Sequence, residues 1–146
     1  MLDRESIADM IGRTSLFQAL APEDRQAAAK AMREQTYAAG QVIFSRGDTS
    51  RDVFLVLEGK VRLSVVSLEG RELSFSLAEP GAVFGEIAAL DGGVRTAFAT
   101  AVTPVRAATL PHAELNRLVQ ASPPLASAIV KLLCARIREA DQQLEG

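Results

Sequence analysis

The sequence predicts an α+β fold: an antiparallel β-roll, a jelly-roll-like barrel, with N-terminal helices and a long C-terminal helix. Three observations carry this expectation. Short apolar or alternating runs, each bounded by turn residues, recur from residue 36 to residue 110. Apolar residues at helical spacing fill 1–35 before them. After them, 111–146 holds two helical segments, the second with Val130, Leu133, Ile137, Ala140 and Leu144 spaced 3-4-3-4.

The elements follow in order. Ile7, Met10 and Ile11 share one helical face, and Gly12 stops the turn. Leu16, Phe17 and Leu20 form a short apolar knot. Pro22, Glu23 and Asp24 open a second helix that runs to about Glu34, its acidic groups complementing the dipole. Strands begin at Thr36. Val42–Phe44 is one short run, closed by the turn Arg46-Gly47-Asp48. Val53–Leu57 is continuously apolar, as in a strand buried on both faces. Val61, Leu63 and Val65 alternate with polar residues, as do Leu73, Phe75 and Leu77, with turns at Glu58-Gly59, at 68–71 and at Pro80-Gly81. Thr96–Val102 and Val105–Leu110 are two further strands. A helix then starts at Pro111, and Ser122 with Pro123 and Pro124 opens a long one that reaches about Leu144.

Composition narrows the function. A chain of 146 residues, 48% of them hydrophobic, fits one domain and excludes disorder. A net charge of −2 does not suit a surface that coats nucleic acid. One cysteine, Cys134, forms no disulfide within the chain and builds no cysteine cluster, which suits a reducing cytoplasm. The N-terminus lacks a basic head followed by an apolar stretch, so no signal peptide is read there. No apolar run approaches the roughly 20 residues that span a bilayer, so no membrane partner is expected. A hydrolase would need a base, a nucleophile or metal ligands placed together. A single histidine, His112, and a single cysteine, both on helices and apart in sequence, provide no such set, and a cupin-type metal site would need several strand histidines. The chain is therefore expected to be no enzyme and to hold no metal.

The stretch from Pro80 to Ala101 carries the chemistry. Gly85 turns a strand sharply into a short helix over Glu86–Leu90. The first amides of such a helix lack internal partners and, with the dipole, favour an anion. Gly92-Gly93 keeps the return loop compact, Arg95 offers a fixed fork for two phosphate oxygens, and Thr96 adds a hydroxyl. Glu86 is an acceptor only, so beside a phosphate it calls for a donor such as a sugar hydroxyl. Together these groups describe a ribose phosphate better than a bare anion. The same residues also fit a plain surface loop in which Glu86 and Arg95 form an exposed pair worth about 0–1 kcal/mol.

The segment FGEIAALDGGVRTAFATA closely resembles the phosphate-binding cassette (84–97 here) of the cyclic-nucleotide-binding domain family, which reads Phe-Gly-Glu, a short apolar helix, a small loop, then Arg-Ser/Thr/Ala-Ala. The hairpin DVFLVLEGKVRLSVVSLEGRE is similar to the family's early strands. The opening LFQAL and the ending CARIREADQQLEG look most like the sensory half of Crp/Fnr-type bacterial regulators. The resemblance covers nearly the whole chain. It implies an effector ligand, cAMP or cGMP, and no other cofactor. It places Arg95 on the cyclic phosphate, Glu86 on the ribose 2′-hydroxyl, the backbone amides of Gly85, Glu86, Ile87 and Ala88 on the anion, and Thr96 on the phosphate or the purine edge.

The chain departs from the best-known bacterial cAMP regulator where that protein sets Thr-Ser against adenine on its long helix. Ala140 and Asp141 stand there, leaving the base preference open. The loop 91–94 also lacks the common proline before the arginine. Crp/Fnr regulators continue into a helix-turn-helix domain, whereas this chain ends at Gly146, so the expectation is a sensory fragment that meets DNA only through a domain not present here. The alternative is a stand-alone Crp-like domain that takes another phosphorylated effector or none. A homodimer along the long helix is expected. His112 is read as an exposed or capping residue rather than a haem ligand, and Cys134 as a buried small hydrophobe. One cysteine does not support Fnr-type oxygen sensing.

Overall fold

Alternate residues of Val53–Glu58 (β3) face two different hydrophobic cores, which is why the run is apolar throughout. The computed structural model describes the backbone of residues 2–14 and 16–145 and the side chains of 7–14, 16–139, 141 and 142. Val53, Leu55 and Leu57 pack outward against helices, with Ile11, Phe17, Leu20, Leu115 and Leu125. Phe54 and Val56 pack inward against a second sheet, with Phe44, Val61, Leu63 and Ala99. The layers are helices, sheet, sheet.

Two helices precede the roll, Leu2–Arg13 (α1) and Pro22–Ala31 (α2), joined through a 3-10 turn at Phe17–Ala19. The remaining strands are Arg33–Tyr37 (β1), Val42–Phe44 (β2), Val61–Val66 (β4), Glu72–Ala78 (β5), Val83–Phe84 (β6), Phe98–Ala101 (β7) and Val105–Leu110 (β8). A short helix, Glu86–Asp91 (α3), lies between β6 and β7; His112–Ala121 (α4) and Pro123–Glu145 (α5) close the chain. The sheets run β1-β8-β3-β6 and β2-β7-β4-β5, and every pairing is antiparallel. This is the α+β roll the sequence predicts.

Three expectations need correction. The second helix ends at Ala31 rather than near Glu34, because Met32 is already extended (ψ 147°) and Arg33–Tyr37 pairs with β8 from Arg33↔Thr109 to Tyr37↔Val105. A distant strand supplies ladder bonds that outweigh the local helical preference of Arg-Glu-Gln. Cys134 is exposed, not buried. The apolar seam of α5 is also divided. Leu125, Ile129, Leu132 and Leu133 face the outer core, while Val130 and Ile137 stand 59% and 61% exposed beside Cys134. The domain body claims the leucine face, so only the opposite stripe is open to a partner. Ala140 and Leu144, the last positions of that seam, lie outside the residues whose side chains are described.

Ser122 receives the Leu125 amide on its hydroxyl at 3.3 Å, capping α5 as the Ser-Pro-Pro sequence predicts. No single helix among the described residues is long and apolar enough to cross a membrane.

Candidate functional site

The site is built where β6 turns into α3. Gly85 sits there at φ +79° and ψ +14°, a conformation that side-chain-bearing residues resist. A β-carbon at this position would also lie 2.8 Å from the Arg95 Nη1 and 3.2 Å from the Asp52 carbonyl oxygen. Glycine is required for both reasons. The helix closes at Gly92 (φ +75°), whose amide donates to the Ala88 carbonyl at 3.0 Å. The Gly93 amide donates to Asp91 Oδ1 at 2.7 Å, and this tight return delivers Arg95 back beneath the start of α3.

Arg95 is only 2% exposed. Its Nε donates to Ser50 Oγ at 3.1 Å, its Nη1 to the Gly85 carbonyl at 2.9 Å and its Nη2 to the Asp52 carbonyl at 2.8 Å. A guanidinium has five N–H donors, so two are without a partner among the described residues. The guanidinium carbon lies 4.2 Å from the centroid of the Phe44 ring and 5.5 Å from that of Phe54. Burial pulls the Arg95 pKa below its ordinary value, and the carboxylates of Asp52, Asp48 and Glu86 act in the opposite direction. The group stays charged, since arginine starts so high.

Glu86, in the first turn of α3, is 7% exposed. Its Oε2 lies 3.5 Å from Arg136 Nε on α5, and Arg136 Nη2 donates to the Val83 carbonyl at 2.7 Å. The alternative of a plain surface pair between Glu86 and Arg95 is not what forms: Glu86 pairs with the long helix, while neutral oxygens hold Arg95.

All six residues singled out in the sequence, Gly85, Glu86, Ile87, Ala88, Arg95 and Thr96, line one cleft of about 560 Å³ including its open mouth. Ile87 and Thr96 are exposed at its rim, and Ala88 is buried. Its apolar walls are Phe44, Leu63, Phe75 and Ala97. Phe75 comes from β5 opposite a register slip at Leu63/Ser64. Such slips redirect a side chain next to functional sites. The arrangement offers a charged fork, an acceptor carboxylate and an apolar slot in one place.

Sequence reasoning missed Phe44, Leu63, Phe75, Ser50 and Arg136. Inward alternation in the hairpin marks Leu63 and Phe75 as core but does not say that they border a cleft. Arg136 leaves one readable trace, a cation on the leucine face of α5 that needs a buried partner. Among the described residues no group of three or more histidine, cysteine, aspartate or glutamate side chains could hold a metal ion.

Residues 34–122 match the family model described as the cyclic nucleotide-binding domain. The chain is 38% identical over 130 residues to the cyclic AMP receptor protein of Thermus thermophilus, covering 89% of this chain and 60% of that protein. The crystal structure of the Thermus thermophilus catabolite activator protein matches with a TM-score of 0.80 at 37% identity, over 90% of this chain and 62% of that one. The N-terminal domain of a transcriptional regulator from Streptomyces coelicolor A3(2) matches with a TM-score of 0.72 at 33% identity, over 93% of this chain and 95% of that one. The chain spans about 60% of the length of the first curated relatives it matches.

Proposed function

Because the chain belongs to the cyclic nucleotide-binding domain family, we propose that it is the sensory domain of a Crp/Fnr-type transcription regulator, takes cAMP or cGMP into the cleft, and signals through α5. One observation carries the reading. Arg95 and Glu86, from the two ends of the cassette, line the same cleft, and a residue of α5 already grips Glu86.

In this reading the two spare donors of Arg95 meet the cyclic phosphate, and the amides at Gly85, Glu86, Ile87 and Ala88 add to the same anion site. Glu86 accepts from the ribose 2′-hydroxyl. Thr96 stands at the rim for phosphate or purine. Leu63, Phe75 and Ala97 give the base an apolar slot. A ligand hydroxyl donating to Glu86 shares the carboxylate that pairs with Arg136, which couples the bound nucleotide to the tie between α3 and α5. The nucleotide shifts the arrangement only as far as it binds one state better than the other.

The output is a change in α5. Its exposed stripe of Val130, Cys134 and Ile137 is the face for a second copy, and DNA is met through a further domain. The protein then acts in the cytoplasm as a binding domain rather than an enzyme, without metal or cofactor other than the effector.

Isothermal titration of the purified protein with cAMP, cGMP and cyclic di-GMP tests the reading. Saturable one-site binding of cAMP or cGMP is expected, with the nucleotide recovered intact. Binding of cyclic di-GMP alone would move the function to another phosphorylated effector. Silence with all three would remove the sensor assignment.

A further inference from the structure

We propose that Phe44 and Ser50 are positioning residues that form a cradle around Arg95, fixing its guanidinium toward the cleft while leaving its charge uncancelled; the inference rests on the reading that Arg95 meets the ligand's phosphate. The loop 45–52 is fastened to Arg95 through the backbone first. The Gly47 amide donates to the Arg95 carbonyl, and the Arg95 amide donates to the Asp48 carbonyl, each at 2.8 Å. This exchange sets the register in which Ser50 and Asp52 meet the side chain of the same residue. Ser50 Oγ then takes the Nε hydrogen at 3.1 Å.

The acceptors are a hydroxyl and two carbonyls, all neutral. Three carboxylates act on Arg95 from nearby, and among the described residues none forms an ion pair with it: Asp52 stays outside ion-pair distance, and the other two are engaged elsewhere. Asp48 Oδ2 receives the Ser45 amide at 2.8 Å, and Glu86 pairs with Arg136. The guanidinium is thus oriented by hydrogen bonds without the ion pair that would compete with an incoming anion. Phe44 supplies the third direction. Its ring lies 4.2 Å from the guanidinium carbon and is itself held against Phe54 and Phe84, with centroids 5.7 and 6.0 Å away. A stacked ring stabilises the cation by its quadrupole and blocks rotation of the guanidinium plane. Preorganisation of this kind raises affinity by removing the ordering that binding would otherwise require.

The test uses two readouts on the whole chain. In nucleotide-free protein, the Arg95 Nε–H resonance, assigned by its loss in Arg95→Lys, reports the cradle through its exchange with solvent. Titration with cAMP reports its consequence. Ser50→Ala is expected to accelerate Nε–H exchange and weaken cAMP binding about three- to tenfold. Ser50→Thr, which keeps the hydroxyl, is expected to restore both. Phe44→Leu, which keeps apolar volume without a π face, is expected to move the Arg95 resonance and weaken cAMP binding by a similar factor. Unchanged affinity in both variants overturns the cradle. So does a loss that tracks thermal destabilisation and is not restored by Ser50→Thr. A wild-type protein that binds neither cAMP nor cGMP overturns the reading of the cleft instead, and unchanged Nε–H exchange in Ser50→Ala then overturns the cradle independently.

Discussion

Glu86 of the short helix α3 and Arg136 of the long helix α5 form an ion pair at 3.5 Å, the one side-chain bridge among the described residues between the cassette and the helix that ends the domain. Both groups are largely withdrawn from solvent, with side-chain exposures of 9% for Glu86 and 28% for Arg136. Arg136 also holds the end of β6 through the Val83 carbonyl. One side chain therefore reads the start of the cassette twice, once through a backbone oxygen and once through a carboxylate.

Removing that side chain leaves a nearly buried carboxylate and a carbonyl without their donor. Arg136→Ala is expected to lower stability by about 1–3 kcal/mol, the cost of an unsatisfied buried polar group. Amide exchange of α5 around Arg136 is expected to speed up as the helix loses its tie to β6. Thermal denaturation and hydrogen exchange check the two effects. A helix as well protected as in the wild type would rule out this bridge as the link to α5.

Arg95→Ala is expected to weaken cAMP binding by at least about 1.5–3 kcal/mol, the range for losing a charged hydrogen-bond partner. Arg95→Lys is expected to recover little, since an ammonium cannot span the Ser50, Gly85 and Asp52 oxygens and still offer a fork. Calorimetry reads both, and undiminished affinity for Arg95→Ala would reject its assignment to the phosphate.

Gly85→Ala combines two penalties. The backbone at φ +79° is strained for alanine, and the new methyl would lie 2.8 Å from the guanidinium it must not displace. A loss of about 1–3 kcal/mol in stability is expected from the backbone alone, together with weaker cAMP binding because Arg95 shifts. Gly70→Ala, in the turn between β4 and β5, is the control: it also has positive φ, at +83°, but nothing lies within 4 Å of its added carbon. Stability should fall in both variants and nucleotide affinity mainly in the first.

The exposed stripe of α5 predicts self-association. Val130→Asp and Ile137→Asp are expected to shift a dimer to monomer in sedimentation velocity while the fold is kept, since both side chains are more than half exposed in the single chain. A protein that sediments as a monomer before substitution would remove this face as the dimer surface.

Glu114 provides a pH test on α4. Hydrogen bonding from Arg117, opposed by burial, holds its carboxyl below the ordinary value of 4.5. A lowered folded-state pKa contributes stability above the unfolded-state value that is lost as pH falls through the folded-state value. Glu114→Gln is therefore expected to flatten the fall in thermal midpoint below about pH 5, and an identical acid limb in both proteins would count against the pair.

Local rules settle much of this molecule. The period-2 alternation of β4 and β5, the Ser-Pro-Pro cap of α5 and the Phe-Gly-Glu to Arg-Thr spacing are all statements about neighbours in the chain, and chain neighbours are what a sequence records directly. They were enough to place the roll and its flanking helices, whereas the six residues that line the cleft were assembled as a set by the resemblance to the cyclic-nucleotide-binding domain family. Three matters depended on packing between distant segments. The helical preference of Arg33–Gln35 yielded to a strand partner contributed by β8. Leu133 turned to the outer core and left Cys134 on the open face, because the body of the domain, not the heptad, chose which side of α5 to bury. The protein partners of the two charged site residues came from distant segments, Arg136 for Glu86 and Ser50 with two carbonyls for Arg95. A charge in a low-dielectric cleft takes whichever partner the fold brings within reach, and that distance is a property of the assembled layers rather than of spacing along the chain.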